Sequence, residues 1–263
     1  MQFRNNRIRH MEKPAGIVWE IRNGIGIITI DNPPKNYLAS PGLVPLETLR
    51  NWTSDVNLKG ILITGAGKQF SAGGDLEHLE EMIRNEQDPG EVITRGKSAL
   101  DFLENLDIPV VAAIKGVCFG GGLEIALASH IRICSDNALF AFPETNHGLI
   151  PGLGGTIRSV RQIGYARSLQ MILGGDMIDA HEALKIGLVD MLVERKELQE
   201  FAFTYLHRMV HDRPLPVIRA VMKVLRSIGK RSPDEVMRLE TELFCELASG
   251  EARRRREGIR EQP

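Results

Sequence analysis

Cysteine is scarce in this chain. The three present, Cys118, Cys134 and Cys245, are odd in number, widely spaced and without metal-ligand patterning. That argues against a disulfide scaffold or a cysteine-ligated metal. The thiols read as buried groups in a reducing compartment, the cytoplasm or, in a eukaryote, the mitochondrial matrix. An excess of charge is also missing: 33 basic side chains face 34 acidic ones, a net −1. No global field therefore favours nucleic acid or an anionic membrane. No apolar run approaches the length of a membrane span. Gly65-Ala66-Gly67-Lys68 lacks the Walker spacing and its Lys-Ser/Thr pair, so a phosphate loop is excluded. Ser71 has no nucleophile elbow around it, which weakens a serine mechanism with His130 or His147 as base. The opening MQFRNNRIRHMEK is basic but has no hydrophobic core, so it is not a secretory signal. It reads as an extension ahead of Met11 or an arm, with a short transit peptide as the alternative.

What the chain does have is glycine in clusters. Between Gly116 and Arg158 lie the triplet Gly120-Gly121-Gly122 and two glutamates, Glu124 and Glu144, in apolar surroundings. Three glycines opening a helix let a ligand approach the backbone and leave unpaired N–H groups at the helix start. Such groups can hold a phosphate or an oxyanion developing on a carbonyl. A second cluster, Gly73-Gly74-Asp75, also ends a strand and precedes a predicted helix, which Asp75 would cap. Two such loops could aim donors at one point, or they could be unrelated tight turns. A carboxylate in the apolar run Leu123 to Ala128 is costly unless paired, protonated or used. If Glu124 and Glu144 share a pocket, mutual repulsion raises one pKa and suits acid/base work. Otherwise Glu124 is a first-turn acid facing a helix dipole and Glu144 an exposed loop carboxylate.

The 43% hydrophobic and 25% charged content suits a soluble globular protein of one large domain, or a core with an appendage. Along the chain, Ile17–Ile21 and Ile25–Ile30 read as a hairpin with an Asn-Gly turn. A short helix is expected from Pro45, strands at 60–64, 109–114, 131–134 and 138–142, and a helix over 92–106. Strands alternating with helices imply βαβ units and a largely parallel sheet or stacked turns. The strand, glycine loop, helix pattern occurs at 60–84 and again at 110–130. Beyond Gly155 the chain reads as helices at 155–163, 166–173, 180–186, 196–211, 215–228 and 234–249, with one strand near 188–193. Their apolar residues, among them Leu198, Phe201, Leu206, Val217, Val221, Leu225, Leu239, Leu243 and Phe244, exceed what a single outer layer can bury. The cluster Arg253 to Arg256 reads as a solvated helix end, with phosphate contact as the alternative.

FSAGGDL at 70–76, GGGLEIAL at 120–127 and FPETNHGLIPGLGGTIR at 142–158 resemble the signature segments of the enoyl-CoA hydratase/isomerase (crotonase) family. The resemblance implies an α/β fold: a crotonase-like spiral of ββα turns over residues 1–200, carrying an acyl-CoA site. A C-terminal helical oligomerisation region follows over 201–263, with assembly as a homotrimer or homohexamer. It implies that the N–H groups of Gly74 and Gly121 form the oxyanion hole, and that Glu124 and Glu144 are the catalytic pair. Gly152 is implied to position the water. Lys35, Ala72, Asp75, Leu76 and Phe142 are the expected substrate-binding residues. No cofactor or metal is expected beyond the coenzyme A of the substrate, and no nucleic acid or membrane partner. Both glutamates favour hydration of an enoyl-CoA over Δ3,Δ2-isomerisation or thioester or C–C hydrolysis. A catalytically idle acyl-CoA binder or an RNA binder is the alternative of a different class. Phe142 for a frequent glutamine, His130 for a frequent aspartate, and a chain ending near Arg260 point to an altered acyl group or pocket.

Overall fold

The hairpin forms as the sequence predicts. β1 (Ile17–Arg22) pairs antiparallel with β2 (Ile25–Ile30), Ile17 facing Ile30, and Asn23 and Gly24 both have positive φ, 51° and 76°. Positive φ at both central residues gives a turn whose twist matches the strands it joins. The computed structural model describes residues 15–39, 42–75, 81, 84–86 and 88–256, without the side chains of 251–256. The basic N-terminus, Leu76 and the helix that Asp75 was expected to cap, and the Arg253–Arg260 side chains lie outside the described residues.

From β2 onward the chain winds in ββα turns. Each turn adds one strand to a central sheet, one short strand to a side sheet, and then a helix. The units are β2, β3 (Tyr37–Leu38) and α1 (Leu46–Thr53), then β4 (Gly60–Gly65), β5 (Gly73–Gly74) and α2 (Pro89–Glu104). Next come β6 (Val110–Ile114), β7 (Val117–Phe119) and α3 (Gly121–Ala128), then β8 (Ile131–Ser135), β9 (Leu139–Ala141) and α4 (Gly155–Gly174). The central sheet runs β1-β2-β4-β6-β8-β11, with β11 at Met191–Val193, and is parallel beyond the hairpin. β4 and β6 are buried throughout, which is why they read as continuous apolar runs. The side strands β3, β5 and β7 escaped the sequence reading because they are two or three residues long, and β5 is glycine alone.

The helical third follows the predicted order, with α5 (Ala180–Lys185), α6 (Leu198–Val210), α7 (Leu215–Ser227) and α8 (Pro233–Arg256). A two-residue strand, β10 (Ile178–Asp179), precedes α5 and pairs with β9. α4 breaks at Gly164 (φ 77°), between the two helices expected there. Residue 200 falls inside α6, which packs on β4, β6 and β8 through Leu198, Ala202 and Leu206. That helix covers the central sheet, so the helical region expected from 201 begins within the core. Leu239 is buried as well, whereas Phe201, Val221, Leu225 and Phe244 are exposed, Phe244 by 71%. Cys118 and Cys134 are buried, but Cys245 on α8 is exposed, which corrects the expectation that all three thiols are buried. Among the described residues no helix is long and apolar enough to cross a membrane.

Candidate active site

Asn36 fixes the floor of the site. It is fully buried with φ 54°, and its amide donates to the carbonyls of Ala66 at 2.9 Å and Gln69 at 3.0 Å. The Ser71 hydroxyl donates to the Asn36 carbonyl at 2.7 Å and accepts from the Gly73 N–H at 3.1 Å. Ser71 is thus a buried structural hydroxyl that shapes the glycine loop. These bonds draw β5 against the start of α3. A β-carbon on Gly121 would stand 3.6 Å from the Gly74 nitrogen, and one on Gly73 only 3.0 Å from the Gly121 nitrogen. The two glycine loops therefore meet. Gly121 opens α3, where its N–H has no acceptor within the helix.

A cavity of about 1140 Å3 opens at this junction. Of the residues singled out in the sequence, Lys35, Ala72, Gly74, Asp75, Gly121, Glu124, Glu144 and Gly152 line it. Phe142 does not. It is fully buried in the main core, where a β-carbon on Gly155 would meet its ring at 2.8 Å, so its expected role in substrate contact is corrected. Phe142 follows the last residue of β9 and packs under α4 instead of facing the cavity. Tyr37, Val92, Ile93, His147, Leu149 and Ile150 also line the cavity and were not singled out as wall residues. His147 follows Glu144 by three residues in the 3-10 turn Pro143–His147, and i, i+3 residues of such a turn share a face.

The two glutamates enter this cavity from different elements. Glu124, in the first turn of α3, is 2% exposed. The N–H groups of Leu153 and Gly155 donate to its Oε1 at 2.6 and 2.7 Å. Burial raises its pKa, while those two N–H bonds, Arg158 and Lys97 pull it down. Glu144 has the opposite surroundings. Its Oε2 is buried and, among the described residues, without a hydrogen-bond partner. Burial pushes its pKa up to about 7; a hydrogen bond from its own N–H opposes this and the charge of Glu124 adds to it. One carboxylate is thus held by two main-chain donors and nearby cations, the other by its own N–H alone.

The enoyl-CoA hydratase/isomerase family model matches residues 20–261. The chain belongs to this family. A Bacillus subtilis (strain 168) relative named "Probable enoyl-CoA hydratase" is 34% identical over 86% of this chain and 88% of its own. The carnitinyl-CoA dehydratase of Escherichia coli (strain K12) is 36% identical over 82% of this chain and 83% of its own. Among solved structures, a Thermobifida fusca YX chain described as an enoyl-CoA hydratase, in complex with CoA, superposes with a TM-score of 0.80. Its sequence identity is 26%, with 91% of this chain and 95% of that one covered. The fold is accordingly the crotonase fold. Glu124 and Glu144 both line the cavity beside the α3 glycine triplet.

Proposed function

We propose that this protein is an enoyl-CoA hydratase, adding water across the 2,3-double bond of an enoyl-CoA thioester. The observation that carries the reading is the meeting of Glu124 and Glu144 in one cavity beside the paired glycines, Gly74 and Gly121. The thioester carbonyl accepts from the N–H groups of those glycines. The Glu124 carboxylate, stabilised by its donors, takes a proton from a water aligned by Gly152, and the water oxygen bonds to Cβ. The π electrons move toward the carbonyl oxygen, where each donor stabilises the enolate-like charge by about 3 kcal/mol. Glu144, protonated near neutrality, delivers its proton to Cα and the carbonyl re-forms. The proton on Glu124 returns to Glu144 through solvent, which closes the cycle. Coenzyme A is part of the substrate, and no further cofactor enters this scheme.

Loss of the conjugated thioester absorbance with crotonyl-CoA and with longer or cyclic enoyl-CoAs tests the reaction. Incorporation of 18O from labelled water at Cβ identifies its class. Glu124→Gln should abolish most hydration. Substantial activity in that variant, with double-bond migration in the product, would replace the reading by an isomerase working through Glu144 alone.

Assembly belongs to the same proposal. Tyr165, Leu173, Met177, Leu225 and Phe244 are all more than half exposed, and a closed ring of copies would cover such apolar surface. A homotrimer or homohexamer is expected on sedimentation, and a fully active monomer of 29.3 kDa would refute it. The three free thiols fit a reducing compartment, so the cytoplasm is the proposed location.

A further inference from the structure

The turn that grips Glu124 is itself held from behind. Gly152, Gly154 and Gly155 offer no side chains with which to fix the N–H groups of Leu153 and Gly155. Arg158, in the first turn of α4 and only 6% exposed, supplies that fixation. Its Nη1–H donates to the Leu153 carbonyl at 2.7 Å. Its Nε–H donates to Glu104 Oε2 at 2.8 Å and its Nη2–H to Asp101 Oδ1 at 2.6 Å, both on α2. Between the two gripping residues Gly154 has φ 98°, and a β-carbon there would come 2.5 Å from Nη1. The α-carbon of the turn thus lies close against the Nη1 end of the guanidinium.

We propose that Arg158 is a positioning residue. It clamps the Leu153–Gly155 turn to α2, so that two main-chain N–H groups converge on Glu124 and keep that carboxyl available as the base. A buried cation is costly, and an apolar side chain could fill the same volume at no such cost. The forked geometry of arginine fits the task because one planar group must bind a carbonyl and two carboxylates at once. The kinetic consequence rests on the hydratase reading; the clamp does not.

β5 and β7, also packed on α3, carry no charged residue, and the charged groups near Glu124 stand on three other elements. They are Arg158 on α4, Lys97 on α2 and Glu144 on the 3-10 turn. Asp101 and Glu104 neutralise Arg158 from α2, and Arg161 reaches Glu104 at 3.5 Å from outside. Loss of the clamp loosens the two N–H bonds and removes a cation, while burial stays. The Glu124 carboxyl should then hold its proton to higher pH.

Two variants test this, Arg158→Gln and Arg158→Lys, read by 13C NMR titration of the Glu124 carboxyl, with Glu124→Gln assigning the signal. In Arg158→Gln the titration should move up by about one unit or more, with partial return in Arg158→Lys. With enoyl-CoA, the acid limb of kcat/KM should move up by the same amount. At neutral pH kcat should fall by about 10- to 100-fold with KM nearly unchanged. A merely structural role would lower the yield of folded enzyme and leave both titrations in place, and that result overturns the proposal. Should Arg158→Gln fail to fold, an unshifted Glu124 titration in Arg158→Lys overturns it equally. If the parent protein turns over no enoyl-CoA, the hydratase reading falls, and the substrate-free titration still decides the role of Arg158.

Discussion

The Oε1 atom of Glu144 sits over the α-carbon of Gly120, so that a β-carbon on that glycine would stand 2.8 Å away from it. Gly120 caps α3 with φ 50°. Gly120→Ala therefore adds backbone strain of about 1–3 kcal/mol and pushes the carboxyl off its seat. Turnover of an enoyl-CoA should fall by about 100-fold or more, with a folded protein by circular dichroism. Parent-like turnover would mean that Glu144 does not occupy this seat in solution.

Hydration by this scheme needs the proton on Glu144, whose pKa is raised to about 7 by burial and by Glu124. The rate should decline on the alkaline side, approaching tenfold per pH unit once well above that value. Removing the neighbouring charge in Glu124→Gln should lower the Glu144 pKa. A carboxyl NMR titration checks both points, and a Glu144 signal titrating at the ordinary 4.5 in the parent would contradict them.

Stability carries the same sign. The folded state holds the Glu144 proton more tightly than the unfolded chain, with its ordinary value of 4.5. The stabilisation is fully present below about 4.5 and is lost as pH rises through about 7. Glu144→Gln is neutral throughout and should flatten that dependence. After allowance for its partial exposure, the variant should exceed the parent at pH 8 by about 1–2 kcal/mol. Denaturant titrations at pH 5 and pH 8 test this, and equal pH dependence in the two proteins would count against it.

Arg132, away from the cavity, marks a different kind of buried cation. It donates to the carbonyls of Ser129 at 2.7 Å and Leu188 at 2.9 Å and pairs with Asp190 at 3.1 Å, tying α3, β8 and the approach to β11. Arg132→Met should cost about 3–5 kcal/mol and leave KM within twofold. A shift in the pH profile of turnover in this variant would show that Arg132 reaches the site after all.

The main strands were legible because β2, β4 and β6 are apolar runs bounded by glycine or proline, and a buried parallel strand leaves that trace. The Gly120 triplet and Glu124 were legible because an acid in the apolar run Leu123–Ala128 is costly unless used, although a first-turn acid facing the helix dipole was the other reading. The meeting of Gly74 with Gly121 was legible only as one of two alternatives, since the bonds that join the loops run through Asn36 and Ser71. Phe142 was misplaced because it stands just past β9, at the entry to the 3-10 turn, where no strand alternation tells core from cavity. Arg158 was part of a quoted motif, yet its partners Asp101 and Glu104 lie more than fifty positions earlier, beyond any local pattern. The exposure of Cys245 depends on which side of α8 is covered, and that is decided by tertiary packing.

Most of the groups assigned to the reacting centre are main chain: the N–H groups of Gly74, Gly121, Leu153 and Gly155. A peptide N–H cannot be deleted by exchanging a side chain. The far wall is made differently, from the aliphatic groups of Val92, Ile93, Leu149 and Ile150 on α2 and the loop before α4. Each can be enlarged, trimmed or made polar with every main-chain donor retained, although Ile93 packs close to the α-carbon of Gly152. Acyl preference and chemical competence are therefore written in separate parts of the polypeptide. A library confined to positions 92, 93, 149 and 150 should alter which thioester is accepted while most of its members still catalyse.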